Sequence, residues 1–158
     1  MPSAKDVIYT AAISAGIDPE LFLAICTHES ALDPTAIRFE AHYRWLYHPR
    51  EFASRMGISD ETEIALQRFS YGLPQVMGAV LREYGFQRPL QCALEHPEEI
   101  CVIAAKHLKK LQQKYSDEAE VIAAYNAGSA VKLPSGMFEN QRYVDAVSML
   151  LRTLRTLE

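Results

Sequence analysis

Helix-start signals recur along this chain and constrain it to a mainly helical fold. Asp18, Pro19 and Glu20 stand in the order of an N-cap, a first-turn proline and a first-turn acid, which predicts a helix running through LFLAICTHES. Asp33 and Pro34 then stop it, because the residue before a proline is pushed out of the helical region. His96, Pro97, Glu98 and Glu99 open the longest predicted helix, with Ile100, Ile103, Ala104, Leu108 and Leu111 on its apolar face and lysines late in it, where they complement the helix dipole. Shorter helices are predicted over residues 3–15, closed by Gly16, over 60–69, and over 117–126, closing at AYNAG. VMGAVLREYGF has helical spacing that Gly85 ends, GSAVKLPSG is a turn-rich connection, and residues 139–157 form a last helix. Residues 36–50 are aromatic, charged and irregular, with room for a short hairpin or a loop-rich excursion. The expected architecture is all-α, one domain over 1–158, with a small irregular or β insert around 36–50.

The composition narrows the partners. A chain of 158 residues, 49% hydrophobic and 23% charged, is long enough and apolar enough to bury a full core. A net charge of -4 supplies no general attraction to nucleic acid, anionic lipid or acidic wall polymers, and the basic residues are scattered. No apolar run approaches the roughly 20 residues of a membrane helix, and the N-terminus does not read as a signal peptide. The expectation is a monomer without membrane anchor, made in the cytoplasm and acting elsewhere. Cys26, Cys92 and Cys101 are odd in number and lack CxxC spacing, so free thiols are the default, with a Cys92 to Cys101 bridge left open. His28, His42, His48, His96 and His107 include no HExxH or other ligand spacing, and neither a metal nor a cofactor is expected.

Phe22, Cys26 and Glu29 are spaced i, i+4 and i+7 and so share one face of the second helix. A carboxyl among apolar side chains has its pKa raised and can hold a proton near neutral pH, as a general acid must. Taken alone, Glu29 reads more simply as a helix-end glutamate that reaches solvent or pairs with an arginine, and nothing in the periodicity identifies an active site.

Four short motifs accompany it in order: HES at 28–30, YGLPQVM at 71–77, AYNAG at 124–128 and QRYV at 141–144. Each is weak by itself, but the ordered set resembles the catalytic domain of the soluble lytic transglycosylases. That family is related in fold to goose-type lysozyme, and the likeness is greatest to its short phage and prophage members. The resemblance implies a peptidoglycan-cleaving enzyme acting on glycan strands, with Glu29 as the glutamate of the Glu-Ser motif and Ser30 beside it at the scissile bond. It implies Gln75 lining the cleft, Tyr125 and Asn126 in the sugar-binding wall, and Tyr143 with its hydroxyl near the catalytic glutamate.

Two departures stand out. Pro74 takes the place of a methionine, and proline has no N–H to offer a substrate. The segment AIRFEAHYRWLYHPREFASRM between the first two motifs is unusually long, and it contains Glu40, a rival carboxylate whose plainer role is a salt bridge with Arg38 or Arg44. The implied chemistry is a lytic transglycosylase reaction forming 1,6-anhydro ends. The alternatives are a muramidase hydrolysing the same bond and a wall-binding or virion module without catalysis.

Overall fold

The computed structural model describes residues 1–157. These form eight α-helices: α1 (Ala4–Ala15), α2 (Pro19–Ser30), α3 (Pro49–Met56), α4 (Asp60–Gln67), α5 (Gly78–Glu83), α6 (Pro97–Lys114), α7 (Glu118–Ala127) and α8 (Gln141–Thr156). A 3-10 helix spans Leu90–Glu95, and a small antiparallel sheet has the order β1 (Ile37–Phe39), β2 (Phe69–Tyr71), β3 (Val76–Met77). The fold is all-α and lysozyme-like with a small sheet set into it, as its sequence predicts.

The first two helices begin as their sequences require. Ser3 and Asp6 form a reciprocal capping box on α1, and the side chain of Asp18 accepts the Glu20 N–H at 3.0 Å ahead of Pro19 on α2. Every residue from Leu21 to Cys26 is buried, so α2 is enclosed on all sides over two turns, with α1 and α8 as its main neighbours. Its end is set by Ala31 and Leu32, both left-handed (φ 51° and 62°), just before the Asp33-Pro34 pair. On the far side of α1, α6 continues the same core through Ile100, Ala104 and Leu108.

Between the second helix and the sixth, the structure decides one open alternative and departs from expectation elsewhere. Residues 36–50 are the loop-rich excursion and not a hairpin of their own, since β1 pairs with β2, Ile37 opposite Tyr71, across some thirty residues of chain. The hairpin is instead β2–β3, and it claims Val76 and Met77, so the helical spacing of VMGAVLREYGF becomes a helix only from Gly78. Finally, α3 is a helix that its surroundings obscure, opened by Pro49 and closed by Gly57 in the left-handed region. The three cysteines are free thiols, so the Cys92 to Cys101 bridge does not form.

Gly78 marks where α4 and α5 cross. A Cβ there would stand 2.5 Å from the Leu66 carbonyl oxygen and 2.9 Å from the Gln67 Cα, distances that only a missing side chain permits. Next to this crossing, Arg82 and Glu63 form a fully buried ion pair at 2.7 and 3.1 Å. The Nη1 protons go to the Phe86 and Arg88 carbonyls, and the guanidinium lies 4.4 Å from the centre of the Phe52 ring. Gln67 extends the network: its amide donates to Glu63 and to the Tyr47 carbonyl, and its oxygen accepts the Tyr47 N–H. The irregular segment before α3 is thereby fastened to α4.

Removing one partner of a buried pair strands the other's charge, at a cost of about 3–5 kcal/mol. Arg82→Met should therefore lose roughly that much unfolding free energy in urea titration, and adding Glu63→Leu should recover part of the loss. An Arg82→Met protein as stable as the parent would show the pair to be dispensable.

Candidate active site

The last turn of α2 carries Glu29 from the enclosed core to the edge of an open cleft. There the helix meets a cavity of about 280 Å³ lined by Glu29, Arg38, Glu40, Gln75, Tyr125 and Asn126, with Val76, Met77 and Val80 as its apolar surface. A second compartment of about 390 Å³ adjoins it, walled by Tyr43, Trp45, Glu83 and residues 127–129. The two share Met77, Val80, His107, Tyr125 and Asn126, so they form one continuous cleft.

The Glu29 carboxyl is half-buried, and its surroundings act in opposed directions. Burial raises its pKa above the ordinary value of 4.5, and the nearby negative charge of Glu40 adds to the rise. The hydroxyl of Tyr143 donates to Oε1 at 2.7 Å and, with the positive charge of Arg38, pulls the other way. Burial is the largest of these effects, so the net direction is upward. Oε2 has no hydrogen-bond partner among the described residues. Tyr143 reaches Glu29 from the first turn of α8, its ring packed edge-on against His28 with centroids 5.0 Å apart.

Arg38 and Glu40 stand on and just after β1, paired at 2.9 Å and both lining the cleft. Glu40 thus has both of the features considered for it, a place at the cleft and an arginine partner. The partner is Arg38 rather than Arg44, whose guanidinium instead lies over the Trp45 ring at 5.1 Å.

The remaining motif residues divide into walls and fastenings. Tyr125 and Asn126, at the end of α7, line both compartments. The Tyr125 hydroxyl donates to the Pro74 carbonyl at 2.7 Å, so the proline that lacks an N–H takes part through its oxygen. Asn126 accepts a hydrogen bond from Asn140 at 2.9 Å. Gln75 lines the cleft in a left-handed conformation (φ 48°), yet its amide is engaged: it donates to the Ala36 and Gly72 carbonyls at 3.0 and 2.9 Å and accepts from Ser70 at 2.8 Å. Ser30 does not line the cleft. Its hydroxyl lies 2.8 Å from the Leu73 carbonyl and 3.0 Å from that of Cys26, tying the end of α2 to the β2–β3 turn.

Residues that the sequence did not single out for the site complete it: Met77 and Val80, placed on the cleft by the β3–α5 junction, and His107, midway along α6. The helical phase of His107, three and four residues from the buried Ala104, Ile103 and Leu111, is the signal that could have found it. No cluster of three or more His, Cys, Asp or Glu side chains able to hold a metal ion occurs among the described residues. No helix among them is long and apolar enough to cross a membrane.

A raised carboxyl pKa has a thermodynamic consequence with a definite sign. The folded protein holds the Glu29 proton more tightly than the unfolded chain, so this group's contribution is fully present below the ordinary pKa of 4.5 and is lost as pH rises through the folded value. Glu29→Gln keeps the shape and an acceptor for Tyr143 without the ionisation. Its melting temperature should therefore exceed the parent's at pH 7, with the difference shrinking toward pH 4. The opposite trend in calorimetric scans would mean that ionised Glu29 stabilises the fold. Tyr143→Phe deletes one hydrogen bond, worth about 1 kcal/mol, and should leave thermal stability nearly intact.

The model of the transglycosylase SLT domain matches residues 6–135. The matched span takes in Glu29, Ser30, Gln75, Tyr125 and Asn126 and ends before Tyr143. No curated protein and no solved structure matches the chain. The family model covers well over half of the sequence, from α1 to the turn before α8, and includes the turn of α2 that brings a carboxyl to the cleft. The chain belongs to the transglycosylase SLT domain family, whose members act on peptidoglycan.

Proposed function

We propose that this chain is a lytic transglycosylase that cleaves the β-1,4 bond between N-acetylmuramic acid and N-acetylglucosamine, with Glu29 as its acid/base. The observation that carries the reading is the state of the Glu29 carboxyl: raised in pKa by burial, held at one oxygen by Tyr143, and open at the other to an elongated cleft. A glycosidic bond breaks through an oxocarbenium-like transition state, and the departing oxygen needs a proton. Glu29 donates it while protonated. The resulting carboxylate then removes the proton from the O6 hydroxyl of the muramyl residue, and O6 closes onto C1 as the leaving sugar departs. One carboxyl thus begins and ends the cycle protonated, and no water is consumed.

The hydrogen bond from Tyr143 suits this double use. It favours the carboxylate against the burial that disfavours it, keeping the group able to give up its proton and to take it back. Tyr125 and Asn126 form the glycan-facing wall, with Tyr43 and Trp45 offering ring faces further along. Ser30 and Gln75 contribute by holding α2, the β2–β3 turn and Ala36 in register rather than by offering free groups to the sugar. Remote positioning of this kind matters, since a misplacement of about 1 Å at the reacting centre costs on the order of a hundredfold in rate.

One observation favours a second reading. Glu40 lines the same compartment as Glu29, and a second carboxylate placed to activate water would make the enzyme a hydrolase of the same bond. Its pairing with Arg38 favours a role in the electrostatics of the cleft instead.

The products distinguish the two. Digested peptidoglycan reduced with borohydride should yield muropeptides whose muramyl ends resist reduction, as 1,6-anhydro ends do. Predominantly reducible ends would move the protein to hydrolysis, with Glu40 the first candidate for the base. Glu29→Gln should lower clearance of a peptidoglycan suspension by about a hundredfold to ten-thousandfold, the usual worth of a general acid, while Glu40→Gln keeps substantial turnover. Tyr143→Phe should lower turnover roughly tenfold or more at nearly unchanged melting temperature, since its loss displaces the proton-transfer group. A protein that co-sediments with the wall and never clears it would be a binding module.

A further inference from the structure

His107 is the one histidine that lines both compartments of the cleft, and none of the family motifs in this sequence includes it. It projects from the middle of α6, between Tyr84 and Tyr125, with ring centroids 5.6 and 6.3 Å away. Its Nδ1 lies 3.2 Å from the Tyr84 hydroxyl. Its Nε2 has no hydrogen-bond partner among the described residues, and no buried side-chain nitrogen or oxygen among them lacks one, so Nε2 is open to solvent. On a residue that lines both compartments, that opening is the cleft.

The chemistry of the ring follows. Burial holds the His107 pKa below its ordinary value; among the charged neighbours Glu83 opposes this and Lys110 reinforces it. The imidazole is therefore neutral at neutral pH, with one proton between two nitrogens. A phenol donates more readily than it accepts, so the Tyr84 O–H points to Nδ1 and the proton rests on Nε2. An N–H aimed into a cleft with apolar Val80 and Met77 beside it suits an uncharged acceptor oxygen.

We infer that His107 is a glycan-contact residue, whose Nε2–H donates a hydrogen bond to an N-acetyl carbonyl or hydroxyl oxygen of the sugar that crosses between the two compartments. The inference rests on the cleft being the glycan site proposed above. Tyr84 then acts as the positioning residue that sets the tautomer and the tilt of the ring.

Two substitutions separate this role from a structural one. Asparagine places its amide near the position of Nδ1 and keeps the Tyr84 contact while vacating the cleft; glutamine reaches the position of Nε2 and does the reverse. In the full chain carrying Glu29→Gln, so that nothing is cleaved, binding of chitotetraose followed by NMR should weaken about tenfold with His107→Asn, the effect of one lost hydrogen bond. It should weaken less than threefold with His107→Gln. With His107 intact, the ring Nε2 resonance should shift as chitotetraose is added, a readout that needs no substitution at His107 to fold. Equal losses in the two variants, the reverse order, no loss in either, or an unmoved Nε2 resonance would overturn the assignment. Wild-type clearance of peptidoglycan is measured alongside: an active enzyme with any of those results loses only the role of His107, whereas an inactive one loses the glycan cleft and this inference together.

Discussion

A helix that is buried on every side must bring any ionisable group it carries to a place where that group can be satisfied. In this protein α2 is that helix, enclosed from Leu21 to Cys26, and Glu29 is the group. The carboxyl lies one turn beyond the enclosed stretch, where α2 emerges at the cleft and where Tyr143 of α8 meets it. The packing of α2 against α1 and α8 therefore does two things at once. It supplies the apolar burial that stabilises the fold, and it sets the depth at which Glu29 is partly stripped of water.

The opposite wall of the cleft depends on a different device. Tyr43, Trp45, Arg38 and Glu40 belong to an irregular stretch with little regular hydrogen bonding of its own. It is held at one end by the pairing of β1 with β2, and at the other by the exchange of hydrogen bonds between Tyr47 and Gln67. Gln67 in turn is fixed by Glu63, and Glu63 by Arg82, inside a site with no access to solvent. A buried ion pair is weak evidence for stability by itself, but here no buried side-chain nitrogen or oxygen among the described residues lacks a partner, and the network joins α3, α4, α5 and the segment that walls the cleft.

Between these two halves, the β2–β3 turn is the joint. It receives the hydroxyl of Ser30 from α2, the hydroxyl of Tyr125 from α7 and, through Gln75, the carbonyl of Ala36 ahead of β1. Each of these bonds ends on a backbone carbonyl, which fixes the turn without prescribing its side chains. That is why a proline is accommodated at position 74: the contact with Tyr125 uses its oxygen, and no partner calls for the N–H it lacks.

Much of this was legible in the amino-acid sequence because capping and helical spacing are local. Asp18 and the His96-Pro97-Glu98 run announce helices that form where expected, and the phase of Phe22, Cys26 and Glu29 puts a carboxyl on an apolar face before any neighbour is known. The ordered motifs added the family. Tertiary structure alone decided what depends on segments far apart in the chain. Val76 and Met77 pair as a strand against a helical pattern because β2 lies beside them, and Ser30 and Gln75 become fastenings because the carbonyls they meet are those of Leu73, Ala36 and Gly72. His107 enters the cleft because α6 turns that face toward Tyr84 and Tyr125. Local pattern can state that Glu29 is a helix residue with apolar neighbours, and the family resemblance implies that Tyr143 lies near it; the bond itself, between residues 114 apart in the chain, forms because α8 packs on α2, since a hydrogen bond depends on distance in space and not along the chain.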